Sequence, residues 1–151
     1  MLWLLRARGR LRMAHDVRVA RGARIRVARG GLVVLGPGAA LGPDSRIEAA
    51  GRVTLGPRAR LGERAVVVAQ RSVELGEAAV LGDWAAIADA APTVGDPDTP
   101  LRRQPLRVAP VRVGARAVIG PHAVLGPGTE IPPGEEVAAY AVVERSVTSS
   151  A

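Results

Sequence analysis

The chain has 151 residues, carries a formal net charge of +7, and contains neither Cys nor Lys, so its 21 basic residues are all Arg. That length sets one domain; the missing Cys excludes disulfides, a thiolate metal site and a cysteine nucleophile; and no apolar run approaches the roughly 18 residues of a membrane span. The 48% hydrophobic fraction is almost wholly Ala, Val, Leu and Ile, with no Phe and only Trp3, Trp84 and Tyr140 as rings, which suits a narrow repetitive core better than an irregular one filled by aromatics.

Residues 1–14 carry no repeat. "LWLLRARGRLRM" sets Leu2, Leu5 and Trp3 beside one another on a helix with Arg around them, and reads as a capping segment over the open end of a stacked domain. Met1 to Leu5 is too short for a signal peptide and Arg6 interrupts it, so the expected location is cytoplasmic. Nine Arg precede Gly30, opposed only by Asp16. Two readings stay open for them: a weak contact with an anionic membrane surface, or a solvated repeat end shaped by the Arg, Ala and Gly bias of a GC-rich bacterial genome. No rings interleave with these Arg, so nucleic acid is not favoured as a partner.

Strands begin at Val17, where "VRVARGARIRV" alternates apolar residues with Arg at a period of two. Val27 is expected to align with Ile47, and Arg21 to stand where Leu41 points inward. From Leu35 to Ile87 one pattern is then written nearly three times. Leu35-Gly36, Leu55-Gly56 and Leu75-Gly76 are spaced by twenty, as are Leu41, Leu61 and Leu81, and Ile47, Val67 and Ile87. Within each twenty the aliphatics fall six apart twice and then eight apart. This describes a three-sided coil with one lengthened corner, and short hexapeptide repeats of this kind mean a parallel β-helix.

After Ile87 the repeat breaks. "ADAAPTVGDPDTPLRRQPLRVAP" reads as a loop excursion over about residues 90–110, and loops projecting from one face of a solenoid are where binding usually concentrates. The repeat resumes in strict sixes at Val113, Ile119, Leu125, Ile131, Val137 and Val143. The predicted architecture is all-β: a parallel β-helix of about six coils over residues 15–146, with one Pro-rich loop excursion, then a polar tail at 147–151. At about 4.8 Å per layer such a prism is roughly 29 Å long.

The hexads, the excursion and the return through "APVRVGARAVIGPHAVLGPGTEIPPGEEVAAYAVV" resemble the left-handed β-helix, hexapeptide-repeat acyltransferases. The similarity runs from about Val33 to Val143 and is closest over Asp96 to Ile131. The resemblance implies left-handed coils and a homotrimer with active sites between neighbouring prisms. It also implies acyl-CoA as a co-substrate, with no bound cofactor, and direct transfer to an oxygen or nitrogen of a sugar or polysaccharide precursor. In the family a histidine takes the acceptor proton and a backbone N–H steadies the oxyanion. That histidine lies in a segment resembling "ADHNHGYDDPDTPI". Here Asp89, Asp96, Pro97 and Pro100 match, while the histidine positions hold Ala90 and Pro92. The family's "VWIG" is replaced by Ala117-Val118-Ile119-Gly120. A positioned base is worth about 10²- to 10⁴-fold, so the expectation divides between a slow acyltransferase and a non-catalytic scaffold or regulatory subunit.

His122 and Asp89 are the candidates for a substitute base, each with a structural alternative as a surface corner residue and a turn former at the loop entry. Trp84, Asp89, Asp96, Asp98, Arg102 and Gln104 are the candidate acceptor contacts. By the resemblance Ala117, Gly120 and Arg103 are the candidate contacts to the acyl-CoA. Trp84 is expected on a flat face beside the loop, and Tyr140 over the last coil. No metal site is predicted, since two separated His cannot build the three-histidine zinc centre of a γ-type carbonic anhydrase.

Overall fold

The inward aliphatics stack as the spacing requires. The structure, a computed structural model, describes residues 4–7, 10–92, 98 and 106–144. The first coil holds β1 (Leu4–Ala7), β2 (Arg10–Met13) and β3 (Arg18–Val19), and the second β4 (Arg24–Val27), β5 (Leu32–Leu35) and β6 (Ala40–Leu41). The third holds β7 (Arg46–Ala49), β8 (Arg52–Leu55) and β9 (Arg60–Leu61), and the fourth β10 (Val66–Ala69), β11 (Ser72–Leu75) and β12 (Val80–Leu81). In the fifth, β13 (Ala86–Ala88) is followed by a hairpin, β14 (Ala90–Pro92) and β15 (Leu106–Val108), before β16 (Val111–Val113) and β17 (Val118–Ile119) complete the turn. The sixth is β18 (Val124–Leu125), β19 (Glu130–Ile131) and β20 (Glu136–Val137), and β21 (Val142–Val143) opens a seventh. First, second and third strands of successive coils form three parallel sheets, the walls of a triangular solenoid.

Every wall sends branched aliphatics inward, the second in two columns, since Leu35, Leu55, Leu75, Val113 and Ile131 are buried beside its valines. Ile25, Ile47, Val67, Ile87 and Leu125 line the first wall, Val33, Val53, Val73 and Val111 the second, and Leu41, Leu61, Leu81 and Ile119 the third, none more than 3% exposed. Burying each such side chain contributes about 1.5–3 kcal/mol, and the alternate residues face outward, as the period-two pattern demands. One corner column is filled by small residues, Ala23, Ser45, Ala65, Ala85 and Ala123, all buried. Ser45 departs from that rule, and its Oγ has no hydrogen-bond partner among the described residues. Ser45→Ala is therefore expected to raise the unfolding free energy by about 1 kcal/mol in denaturant titration, because it removes a desolvated hydroxyl without leaving space. A loss of stability would contradict this.

Two expectations about the N-terminal part need correction. The described part of residues 1–14 is strand, not helix: β1 and β2 pair in parallel with β4 and β5, so the ladder begins ahead of residue 15. The alternation of Arg with Leu and Met in Arg10–Met13 was the strand signal, and the helical spacing of the leucines concealed it. Ile47 pairs with Ile25, not with Val27, and the inward partner of Leu41 is Val19, while Arg21 is exposed in a turn. The cause is the corner between β4 and β5, which takes four residues, Ala28 to Gly31, where the next coil uses only Ala50 and Gly51. Gly30 supplies the positive φ of +86° that this wider turn needs.

Beyond the hairpin the register is that of the strict sixes. Val113, Ile119, Leu125, Ile131 and Val137 are buried, and neighbouring coils there are eighteen residues apart, as Arg112 opposite Glu130 and Val124 opposite Val142 show.

Candidate functional site

The hairpin leaves the solenoid at Asp89, whose carboxylate is fully buried. The preceding coils explain why an acid stands there. At the same corner two coils below, the N–H groups of Ala50, Gly51 and Arg52 donate to the carbonyls of Ala69 and Arg71 in the next layer. In the layer containing Gln70, Arg71 and Ser72 no such carbonyls follow, because the chain has departed into β14. The Asp89 carboxylate takes their place, accepting from the N–H of Gln70 at 2.7 Å, Arg71 at 2.6 Å and Ser72 at 2.8 Å. Its own carbonyl accepts from Ala109 N–H on the return strand, at 3.0 Å. Both carboxylate oxygens are thus committed to backbone, and Asp89 serves as the cap of an interrupted wall, not as a free base.

The hairpin itself is the expected excursion, with two short strands at its base. Ala90 faces Val108, and Pro92 faces Leu106, in antiparallel register. Asp98 is exposed in a turn of this arm. Asp96, Arg102, Arg103 and Gln104 lie outside the described residues. On the return, the Ala117 methyl is buried, its N–H donates to Gly114 O, and its carbonyl accepts from Val80 N–H. A Cβ at Gly120 would meet Ala139 N at 2.6 Å, so this glycine permits the close approach of two coils. Those two assignments to acyl-CoA contact are not supported by the side-chain geometry.

Trp84 and His122 come together in a way the spacing conceals. Both occupy the αL position at the corner between the third and first walls, with φ of +62° each. That corner column runs Gly22, Asp44, Arg64, Trp84, His122, Tyr140, each non-glycine member donating its N–H to a carbonyl one layer below. The planar members stack. Trp84 and His122 lie 6.0 Å apart at 6°, His122 and Tyr140 4.8 Å apart at 3°, and the Arg64 guanidinium sits 4.9 Å over the Trp84 ring. The strand spacing of about 4.8 Å enforces this ladder. Trp84 is thus on a corner, not on a flat face, and Tyr140 extends the column outward, 72% exposed. The signal was in the sequence: Asp83-Trp84-Ala85, Pro121-His122-Ala123 and Ala139-Tyr140-Ala141 stand at one offset from their inward aliphatics.

The ladder makes a testable energetic claim. A double-mutant cycle on Trp84 and His122, each changed to Asn, is expected to give a coupling of about 0.5–1.5 kcal/mol. The same cycle on Trp84 and Tyr140, which do not touch, should be additive, and equal couplings would contradict the stack.

Beneath the hairpin exit, on the corner between the first and second walls, a cleft of about 390 Å³ runs down three coils past Arg26, Ala28, Glu48, Ala50, Val68 and Gln70. Arg26 and Glu48, register partners on adjacent strands of its lining, form an ion pair at 3.8 Å. The sequence matches no protein-family model and no curated protein. Among solved structures, an aspartate-to-alanine variant of AntD, an N-acyltransferase from Bacillus cereus in complex with dTDP and coenzyme A, superposes with a TM-score of 0.69. The two proteins share a fold. The superposition covers 92% of this chain and 75% of AntD at 15% identity. An aspartate-to-asparagine variant of AntD with the same ligands gives a TM-score of 0.51 at 16% identity, over 90% of this chain and 75% of its own. The acyltransferase type of parallel β-solenoid expected from the resemblance is the architecture AntD has.

Proposed function

We propose that this protein is an acyl-CoA-dependent N-acyltransferase acting on an amino sugar of a nucleotide-linked or polysaccharide precursor, and that it turns over slowly. The observation that carries the reading is the hairpin interrupting an AntD-like solenoid directly above an open cleft. Ala28, Ala50 and Val68 give that cleft an apolar wall along the solenoid axis, suited to an extended thioester arm. In the reaction the acceptor nitrogen attacks the thioester carbonyl, a C–N bond forms, the C–S bond breaks, and CoA leaves as thiol with the proton the nitrogen gives up. A neutral amine presents its lone pair without prior proton removal, whereas a hydroxyl needs a base. Ala90 and Pro92 stand where the family's histidine would be, so nitrogen is the acceptor that tolerates this site best.

The test is thiol release from acetyl-CoA in the presence of amino-sugar nucleotides, with the product identified by mass. The expected result is an N-acyl sugar formed about 10²- to 10⁴-fold more slowly than by a transferase with a positioned base. A second reading, a non-catalytic scaffold, is favoured by the same two residues. It expects no product with any acceptor and no effect of His122→Ala; transfer that His122→Ala abolishes would refute it.

Assembly as a homotrimer belongs to the same reading. Its support is the outer row of the first wall, where Val66, Ala86, Val124 and Val142 follow one another in register, Val124 41% and Val142 71% exposed. Val124→Arg is expected to shift the sedimenting species from trimer to monomer, and an unchanged mass would exclude this face as the interface.

A further inference from the structure

The end of the solenoid that holds the first coil is apolar at its centre and basic at its rim. An inner coil has a neighbour above and below, whereas the first has none below it among the described residues. Leu11 and Met13 take the inward positions of β2, opposite Val33 and Leu35, and Val19 takes that of β3, opposite Leu41. Those second-coil partners are at most 2% exposed, but Met13 is 37% exposed and Leu11 and Val19 are only half-buried. Around this centre, residues 10–29 place seven Arg, all exposed, against one acid, Asp16. Among the described residues only Arg26 of the seven is held in an ion pair, with Glu48. At the far end the sign reverses: residues 117–144 hold Glu130, Glu135, Glu136 and Glu144 and no Arg. Charged side chains on a terminal strand do protect a sheet edge from pairing. Protection alone would put one sign at both ends, since opposite signs attract head to tail.

We infer that this end docks on an anionic lipid surface. Arg10, Arg12 and Arg18 have long, flexible stems that reach past the rim to the headgroup phosphates. Met13, with Leu11 and Val19 behind it, meets the interface at the centre. The acidic end is repelled by the same surface, so the solenoid stands with its axis along the membrane normal. This face is perpendicular to all three walls and stays open whichever wall pairs subunits, and cyclic symmetry would point the end of every copy the same way. Docking needs neither CoA nor the hairpin cleft, so it stands or falls separately from acyl transfer.

Flotation of the full chain with vesicles tests this, phosphatidylcholine alone against an equimolar mixture with phosphatidylglycerol. The expected result is flotation with the anionic vesicles only. It should be lost as salt rises from about 0.1 M to 1 M, where the Debye length falls from about 10 to 3 Å. Each Arg near such a surface is worth about fivefold in partitioning, so the Arg10→Gln, Arg12→Gln, Arg18→Gln triple variant should bind about 10²-fold more weakly. The chain has no Cys, so Met13→Cys accepts a single environment-sensitive fluorophore. Its emission should shift to the blue on the anionic vesicles, while the same label on Glu136→Cys should not respond. No flotation, equal flotation with neutral vesicles, a triple variant that binds like the wild type, or equal shifts of the two labels would overturn the inference. So would displacement from the vesicles by a DNA duplex or by inorganic phosphate at constant ionic strength, or head-to-tail fibres formed without lipid. The substituted side chains are exposed, and an unchanged circular dichroism spectrum confirms that the variants fold.

Discussion

Replacing Asp89 with alanine is expected to lower the unfolding free energy by about 3–5 kcal/mol. Three backbone N–H groups, those of Gln70, Arg71 and Ser72, end on one carboxylate that is itself fully buried. Removing it leaves three donors with nothing to bond, each costing about 1–3 kcal/mol, less whatever water recovers at the exposed Gln70 and Arg71. Asp89→Asn should recover only part of the loss, because its NH₂ group would face donors. Amide exchange locates the damage: protection should fall first at residues 70–72 and at the Asp89–Ala109 contact that anchors the hairpin. A loss below about 1 kcal/mol would mean that the cap is dispensable.

Gly82→Ala is expected to cost about 3 kcal/mol or more, for a different reason. The added Cβ would lie 2.6 Å from Ile119 O and 2.8 Å from both Gly120 C and Pro121 N, all backbone of the coil above. No rotamer relieves the clash, so the fourth and fifth coils must separate along that corner. Gly30 is the internal control. A Cβ there meets nothing within 4 Å, but the φ is +86°. Gly30→Ala should therefore cost only the left-handed penalty of about 1–2 kcal/mol. Thermal unfolding of the two variants compares steric exclusion with backbone conformation directly, and equal losses would contradict the account.

The solenoid was legible because its period is enforced by geometry that tolerates little variation. Leu41, Leu61 and Leu81 can stack only if the chain returns to the same wall every coil, and the glycine after each keeps the corner thin. Where a corner lengthens, the pattern misleads: two extra residues between Val27 and Leu32 displaced the expected pairing of Ile47 by two. The strand in Arg10–Met13 was masked by leucines at helical spacing, because period two and period 3.6 both fit so short a run. Much less of the site could be read. Asp89 stood out at the loop entry, but its task depends on donors of the coil below, seventeen to nineteen residues earlier. The ladder of Arg64, Trp84, His122 and Tyr140 escaped notice because the excursion puts 38 residues between register partners at the fifth coil, as at Leu81 and Ile119. Chemistry on a β-solenoid is assembled between layers, and layer neighbours are remote in the chain.

The proposed acyltransferase reading makes one requirement, that the chain holds CoA. Calorimetric titration of the purified protein with acetyl-CoA tests it most directly. Saturable binding of one molecule per chain, weakened by Val68→Asp in the cleft wall and insensitive to His122→Ala, is the predicted result. A flat titration at millimolar acetyl-CoA, from a protein whose circular dichroism shows intact β structure, would contradict the acyltransferase reading.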